Sequence, residues 1–141
     1  MMTTSTVIVE MNAMEQIFNE VIKKPAVDPV DMRISYALNQ LGIRPHVKGY
    51  KYLKDAIRIG IESPEDIEFI TKALYPAVAK KNKTTWSRVE RAIRHAIKDV
   101  DQIDEFRRTI FLGGSRDHYT NKEFIAGVAE YFKGLGTIGY T

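Results

Sequence analysis

The stretch Leu74 to Lys98, LYPAVAKKNKTTWSRVERAIRHAIK, decides how this chain is read. Pro76 removes a backbone donor and disfavours helical geometry at Tyr75, so a short helix is expected to start there and to turn Val78 and Ala79 inward. Asn82-Lys83-Thr84 then forms a turn, and a second helix is expected from near Thr85 to about Val100. At about 100° per residue, Val89, Ala92, Ile93, Ala96, Ile97 and Val100 share one apolar arc, with Trp86 at its edge. Ser87, Arg88, Arg91, Arg94, His95 and Lys98 fill the opposite arc, and Glu90 lies on the boundary. Two helices joined by a short turn, with the small Ala79 at their crossing, match a helix-turn-helix, although the turn lacks the glycine such turns often contain.

The charge distribution favours the same reading. From Lys80 to Lys98 seven basic residues stand against the single acid Glu90, while the rest of the chain carries 14 basic and 17 acidic residues. A basic patch on a slightly acidic body is the footprint of a phosphate-binding surface; the plainer reading is a solvated helix face. Guanidinium groups bond bidentately to guanine O6 and N7, and a carboxylate accepts from cytosine N4. Arg88, Glu90 and Arg91 are therefore the candidates for base edges in the major groove, on a recognition helix over residues 85–98. Ser87, Arg94, His95 and the lysines Lys80 and Lys83 are the candidates for phosphates. The plainer alternative for Glu90 is an i,i+4 ion pair with Arg94, and for His95 a solvated surface position.

Outward from this stretch, helical patterns fill the chain. Residues 1–6 read as a tail and residues 7–22 as an N-terminal helix that Pro25 ends. Asp28-Pro29-Val30-Asp31 supplies a cap, a first-turn proline and an acid for a helix burying Ile34, Ala37, Leu38 and Leu41, with Gly42 as its stop. A further helix is expected over residues 46–61 with Leu53, Ala56, Ile57 and Ile61 on one side. Ser63-Pro64-Glu65-Asp66 opens another with Ile67, Ile70 and Leu74 inward. After the recognition helix, a helix over residues 101–112 is stopped by Gly113-Gly114. Thr120-Asn121-Lys122-Glu123 is a capping box opening a last helix that buries Phe124, Ile125, Val128, Ala129 and Phe132 and closes at Gly134. The fold class is all-α, a compact bundle of about six helices containing the helix-turn-helix, plus the extra N-terminal helix. Its parts are an extension over residues 1–27, a DNA-binding effector domain over 28–134 and a tail over 135–141.

Composition excludes several other classes. With no cysteine, disulfides and thiolate metal sites are ruled out, which suits a cytoplasmic, nucleoid-associated protein. No apolar run approaches the roughly 20 residues of a membrane span, and no signal peptide is evident. His46, His95 and His118 are far apart, so no metal is expected, and Gly113-Gly114-Ser115 lacks the lysine of a phosphate loop. Asp99, Asp101, Asp104 and Glu105 read as a solvated helix start rather than catalytic carboxylates. No cofactor, small-molecule substrate, membrane or enzymatic activity is expected.

The residues also resemble a known family. IRPHVKGYKYL (43–53), ITKALYP (70–76), SRVERAIRHAI (87–97) and TNKEFIA (120–126) are similar, in the same order over roughly Asp31 to Phe132, to the C-terminal effector domain of stage-zero sporulation protein A. The resemblance implies an all-helical, six-helix transcription regulator with Ser87-Arg88-Val89-Glu90-Arg91 as its reading head on double-stranded DNA. It also implies neighbouring copies on tandem sites, as in a homodimer. The chain departs from the family in three places. The residues before the match leave no room for a receiver domain, so no phosphorylation switch is expected within the chain. Trp86 stands where the family has a small residue, and the tail after Gly134 differs. A second expectation follows from the missing receiver, namely an interaction module or competitor that pairs with itself or with a full-length regulator through residues 7–22.

Overall fold

The computed structural model describes residues 28–139, together with the single positions 13, 16 and 17, and side chains up to residue 134. The helix expected over residues 7–22, and with it the pairing surface assigned to that segment, otherwise lies outside the described residues. The chain divides into two units, residues 1–33 and 34–141. In the described end of the first, the Asp28 carboxylate accepts a hydrogen bond from the Val30 N–H at 2.9 Å, and the Asp28 carbonyl accepts from the Met32 N–H at 3.0 Å. This is the expected cap, and it opens helix α1 (Pro29–Gln40).

The second unit is helical throughout, and no strand occurs among the described residues. After α1 come α2 (Lys48–Glu62), α3 (Glu65–Glu68), a π-helical turn (Ile70–Leu74), α4 (Tyr75–Lys81), α5 (Trp86–Ala96), a 3-10 turn (Val100–Gln102), α6 (Glu105–Leu112) and α7 (Asn121–Gly139). The hub is α2, which packs against α5 and α7 and also touches α4, while α6 lies on α7. One side of α2 buries Leu53, Ala56 and Ile57 completely, and Tyr52 and Ile59 pack partly buried on another. Each fully buried leucine or isoleucine contributes about 1.5–3 kcal/mol, so a helix with two covered sides anchors whatever is docked on it. The stripe from α1 (Ile34, Ala37, Leu38) and that from α7 (Phe124, Ile125, Val128, Ala129) complete the core.

Several helix ends differ from expectation, each for a local reason. The helix expected from Ser63 onward breaks at Phe69 (φ −105°, ψ 49°). Beyond it the turn is widened rather than broken before Pro76: the Leu74 N–H reaches back to the Phe69 carbonyl and the Tyr75 N–H to that of Ile70. Pro76 has no N–H to give and its ring crowds the preceding turn, and the i→i+5 spacing relieves both. Helix α5 ends at Ala96 rather than near Val100, because the chain tightens there: the Lys98 N–H bonds to His95 and the Val100 N–H to Ile97. Val100 is buried all the same, by the 3-10 turn. Helix α6 begins at Glu105, since the Asp104 carboxylate caps it by accepting from the Arg107 N–H at 2.9 Å. Gly113 (φ 76°) stops it in the left-handed conformation. Gly134 does not end α7, which continues to Gly139; among the described residues only Gly42 and Gly113 take the positive φ by which a glycine terminates a helix.

Candidate nucleic-acid interface

The helix-turn-helix is made by α4, the turn at Asn82–Thr85, and α5. At the end of α4 the Thr84 N–H bonds to the Ala79 carbonyl at 3.0 Å and the Lys83 N–H to that of Lys80 at 3.4 Å. This is the Schellman arrangement, which requires a left-handed residue between the two donors. Lys83 takes that place with φ 53°. The glycine missing from the sequence of the turn is thus missing from a position that demands left-handed backbone. The same arrangement closes α1, where Gly42 (φ 80°) holds the equivalent place.

Asp55 holds the turn against the hub helix. Its carboxylate is 9% exposed as a residue and accepts from Lys81 Nζ at 2.9 Å and from Asn82 Nδ2 at 2.8 Å. Asn82 Nδ2 also donates to the Val78 carbonyl at 2.9 Å. A buried carboxylate is tolerable because both oxygens are bonded. Sequence reading missed this residue; its signal is its place between Tyr52 and Ile59, at i−3 and i+4 on the second covered side of α2. The ion pair also commits the exposed Lys81 to Asp55, so it is not among the unpaired cations.

Helix α5 starts as expected, with the Thr85 hydroxyl capping it by accepting from the Arg88 N–H at 3.3 Å. Thr85 and Ser87 hydroxyls lie 3.3 Å apart, so Ser87 is tied to the cap. Against α2, the close approach is made by Gly49. A Cβ built there falls 2.3 Å from the Ala92 carbonyl oxygen and 2.7 Å from the Ala96 methyl, so only glycine fits. A second contact comes from Asn121 at the start of α7, whose buried amide donates to the Glu90 carbonyl and to the Tyr75 hydroxyl, each at 3.0 Å. Burial pushes the Tyr75 phenol above its ordinary value; the hydrogen bond from Asn121 opposes this, the Glu90 charge adds to it and Arg94 offsets it. Next to Asn121 the capping box is complete: Glu123 accepts from the Thr120 N–H, and Thr120 Oγ1 from the Glu123 N–H, both at 3.1 Å.

The candidate residues fall on two flanks of α5. Arg88, Arg91 and His95 are exposed and border an open groove of about 800 Å³ whose other wall carries Lys48, Lys83 and Tyr52. Lys83, Arg88 and Arg91 make no side-chain hydrogen bond or ion pair among the described residues, and Lys80 is exposed on α4 nearby in sequence. On the other flank Glu90 and Arg94 form an i,i+4 ion pair at 3.6 Å. They line a second hollow of about 480 Å³ with Tyr75, His118 and Asn121. The structure therefore brings Arg88, Arg91, His95 and Lys83 together and sets Glu90 apart with Arg94. Among the described residues no three His, Asp or Glu side chains converge as a metal site would require, and no helix is long and apolar enough to cross a membrane.

A family model described as Sporulation initiation factor Spo0A C terminal matches residues 34–132. The chain belongs to this family. The match spans every helix from the buried part of α1 to most of α7, including the whole helix-turn-helix. The family is a DNA-binding effector domain rather than a catalytic one, so the chain is a DNA-binding domain of the kind used in transcription regulation and sporulation.

Proposed function

We propose that the chain binds double-stranded DNA sequence-specifically, with α5 in the major groove, and acts as a transcription regulator at the nucleoid. The observation that carries this reading is the set of unpaired cations, Arg88, Arg91 and Lys83, around one open groove beside a helix whose backbone is held by Gly49 and Asn121 and whose preceding turn is held by the Asp55 clamp. Unpaired guanidinium groups on a rigid frame bond to base edges without first breaking an internal ion pair, and side chains held by packing keep their geometry.

In this reading Arg91, at the centre of the outward arc, and Arg88 address bases. Glu90 addresses a base from the other flank while remaining beside Arg94. Ser87, Arg94, His95, Lys83 and Lys80 meet phosphates, which makes affinity fall steeply with salt. Selection of binding sites from random duplexes at moderate salt tests this. A short preferred element is the expected outcome, and uniform recovery of all sequences would end the claim of specific readout.

A further inference from the structure

Trp86 is the only tryptophan of the chain. It is the first residue of α5 and is 49% exposed. No hydrogen bond or ring contact engages its indole among the described residues. It therefore does not pack as a ring against another aromatic, and a half-exposed indole with an unused donor stands at the end of α5 that enters DNA in helix-turn-helix docking. Helical side chains lean toward the N-terminus, so at the first position the ring overhangs the end of the helix.

We infer that Trp86 is a DNA backbone contact, with its ring against a deoxyribose and its Nε1–H donated to a phosphate oxygen. This rests on the DNA-binding reading above and adds a residue to it. The argument is angular. At about 100° per residue Trp86 lies about 140° around the helix from Arg91 and about 40° from Glu90. A helix about 10–12 Å across nearly fills a major groove about 12 Å wide. With Arg91 turned to the groove floor, a side chain at that angle meets the rim, where the sugars and phosphates run, and not the base edges. The chemistry agrees: an indole offers an apolar plate and one donor but no acceptor, which suits a sugar face and a phosphate oxygen. Being the rim contact on the Glu90 and Arg94 flank, it opposes the cationic groove on the other side of the helix and sets the tilt of α5 between the two strands.

The test uses the full chain and a duplex carrying its selected element and a 5′ dye, with binding followed by dye anisotropy and Trp86 followed separately by its own emission. On saturation the emission is expected to change and its quenching by acrylamide to fall. Trp86→Ala should weaken binding to specific and unrelated duplexes alike by about fivefold to tenfold, and Trp86→Phe, which keeps a ring but loses the N–H, by about twofold to threefold. If anisotropy reports binding while acrylamide quenching stays unchanged, the contact is absent and the inference fails alone. A changed base preference in either variant overturns the assignment to the backbone. If no duplex binds at all, the DNA-binding reading fails and this inference with it. Circular dichroism of Trp86→Ala checks folding, and Trp86→Phe keeps the test decisive if that variant is unfolded.

Discussion

Along α5, the flank bearing Arg88, Arg91 and His95 borders an open groove and holds no ion pair among the described residues, whereas on the opposite flank Glu90 and Arg94 close on each other at 3.6 Å beside the Tyr75 phenol and the Asn121 amide. The difference begins in composition, since the open flank carries no carboxylate while the closed flank places Glu90 four residues before Arg94. What lies across from each flank adds to it. The open side faces the start of α2, where Gly49 lets the backbones touch and Lys48 adds a like charge. The closed side faces the start of α7, whose Asn121 amide donates to the Glu90 carbonyl and to the hydroxyl of Tyr75 on α4. An unpaired guanidinium meets DNA having only water to shed, while a paired one must first lose its carboxylate, so the open flank should supply most of the affinity and salt dependence.

The comparison can be broken at its foundation. Gly49→Ala puts a methyl 2.3 Å from the Ala92 carbonyl oxygen, which forces α2 and α5 apart. Stability should fall by about 1–3 kcal/mol in a thermal or denaturant melt, and specific DNA binding should be lost at temperatures where the variant is still folded, because the groove walls no longer match. Binding that survives in the folded variant would mean that the α2 wall is irrelevant.

Next in size is the contrast between arginines. Arg91→Ala should cost about 1–3 kcal/mol of binding and relax preference at one base position. Arg94→Ala should cost less and leave preference intact, since only a paired phosphate contact is removed. Equal losses in a titration series would erase the distinction between flanks.

A smaller effect has opposite signs in two measurements. Lys83 holds a left-handed backbone at φ 53°, a conformation that glycine adopts without steric cost. Lys83→Gly should raise stability by about 0.5–1 kcal/mol while weakening binding to all sequences and shallowing the salt slope by about one. Loss of both would show that the lysine does something more than tolerate the turn.

The closed flank itself is worth little to the fold. A double-mutant cycle of Glu90→Gln with Arg94→Gln should give a coupling of about 0.2–0.5 kcal/mol. Tyr75 is buried, and ionisation of its phenol costs the fold nothing at neutral pH. Its raised phenol pKa means that its contribution to stability is complete below the unfolded value near 10 and is lost as pH rises through the higher folded value. Alkaline unfolding should therefore move to higher denaturant in Tyr75→Phe relative to the parent, compared at the same neutral-pH midpoint.

Much of this was legible beforehand because it is local. The start of α5 at Thr85, the capping box Thr120 to Glu123 and the stop glycines Gly42 and Gly113 each depend on residues within a few positions of one another, and all are found. The apolar arc of α5 is likewise a matter of spacing: Val89, Ile93 and Ile97 are buried and Arg88, Arg91 and His95 are exposed. Where local signals compete, spacing along the chain does not decide the outcome. Pro76 marks a disturbance but not that the chain widens into a π turn, and Gly134 does not act as a stop because its backbone does not take the left-handed conformation.

Most helices, the amphipathic direction of the recognition helix and its Glu90–Arg94 pair follow from the chain alone, since propensity, capping and periodicity act over one to four turns. The contacts that hold this helix and its turn in place arise only on folding. Asp55 meets Lys81 across 26 positions, Gly49 meets Ala92 across 43, and Asn121 reaches the Glu90 carbonyl across 31. Electrostatic and packing energies depend on distance in space, and no pattern along the chain states which distant residues will come within 3 Å.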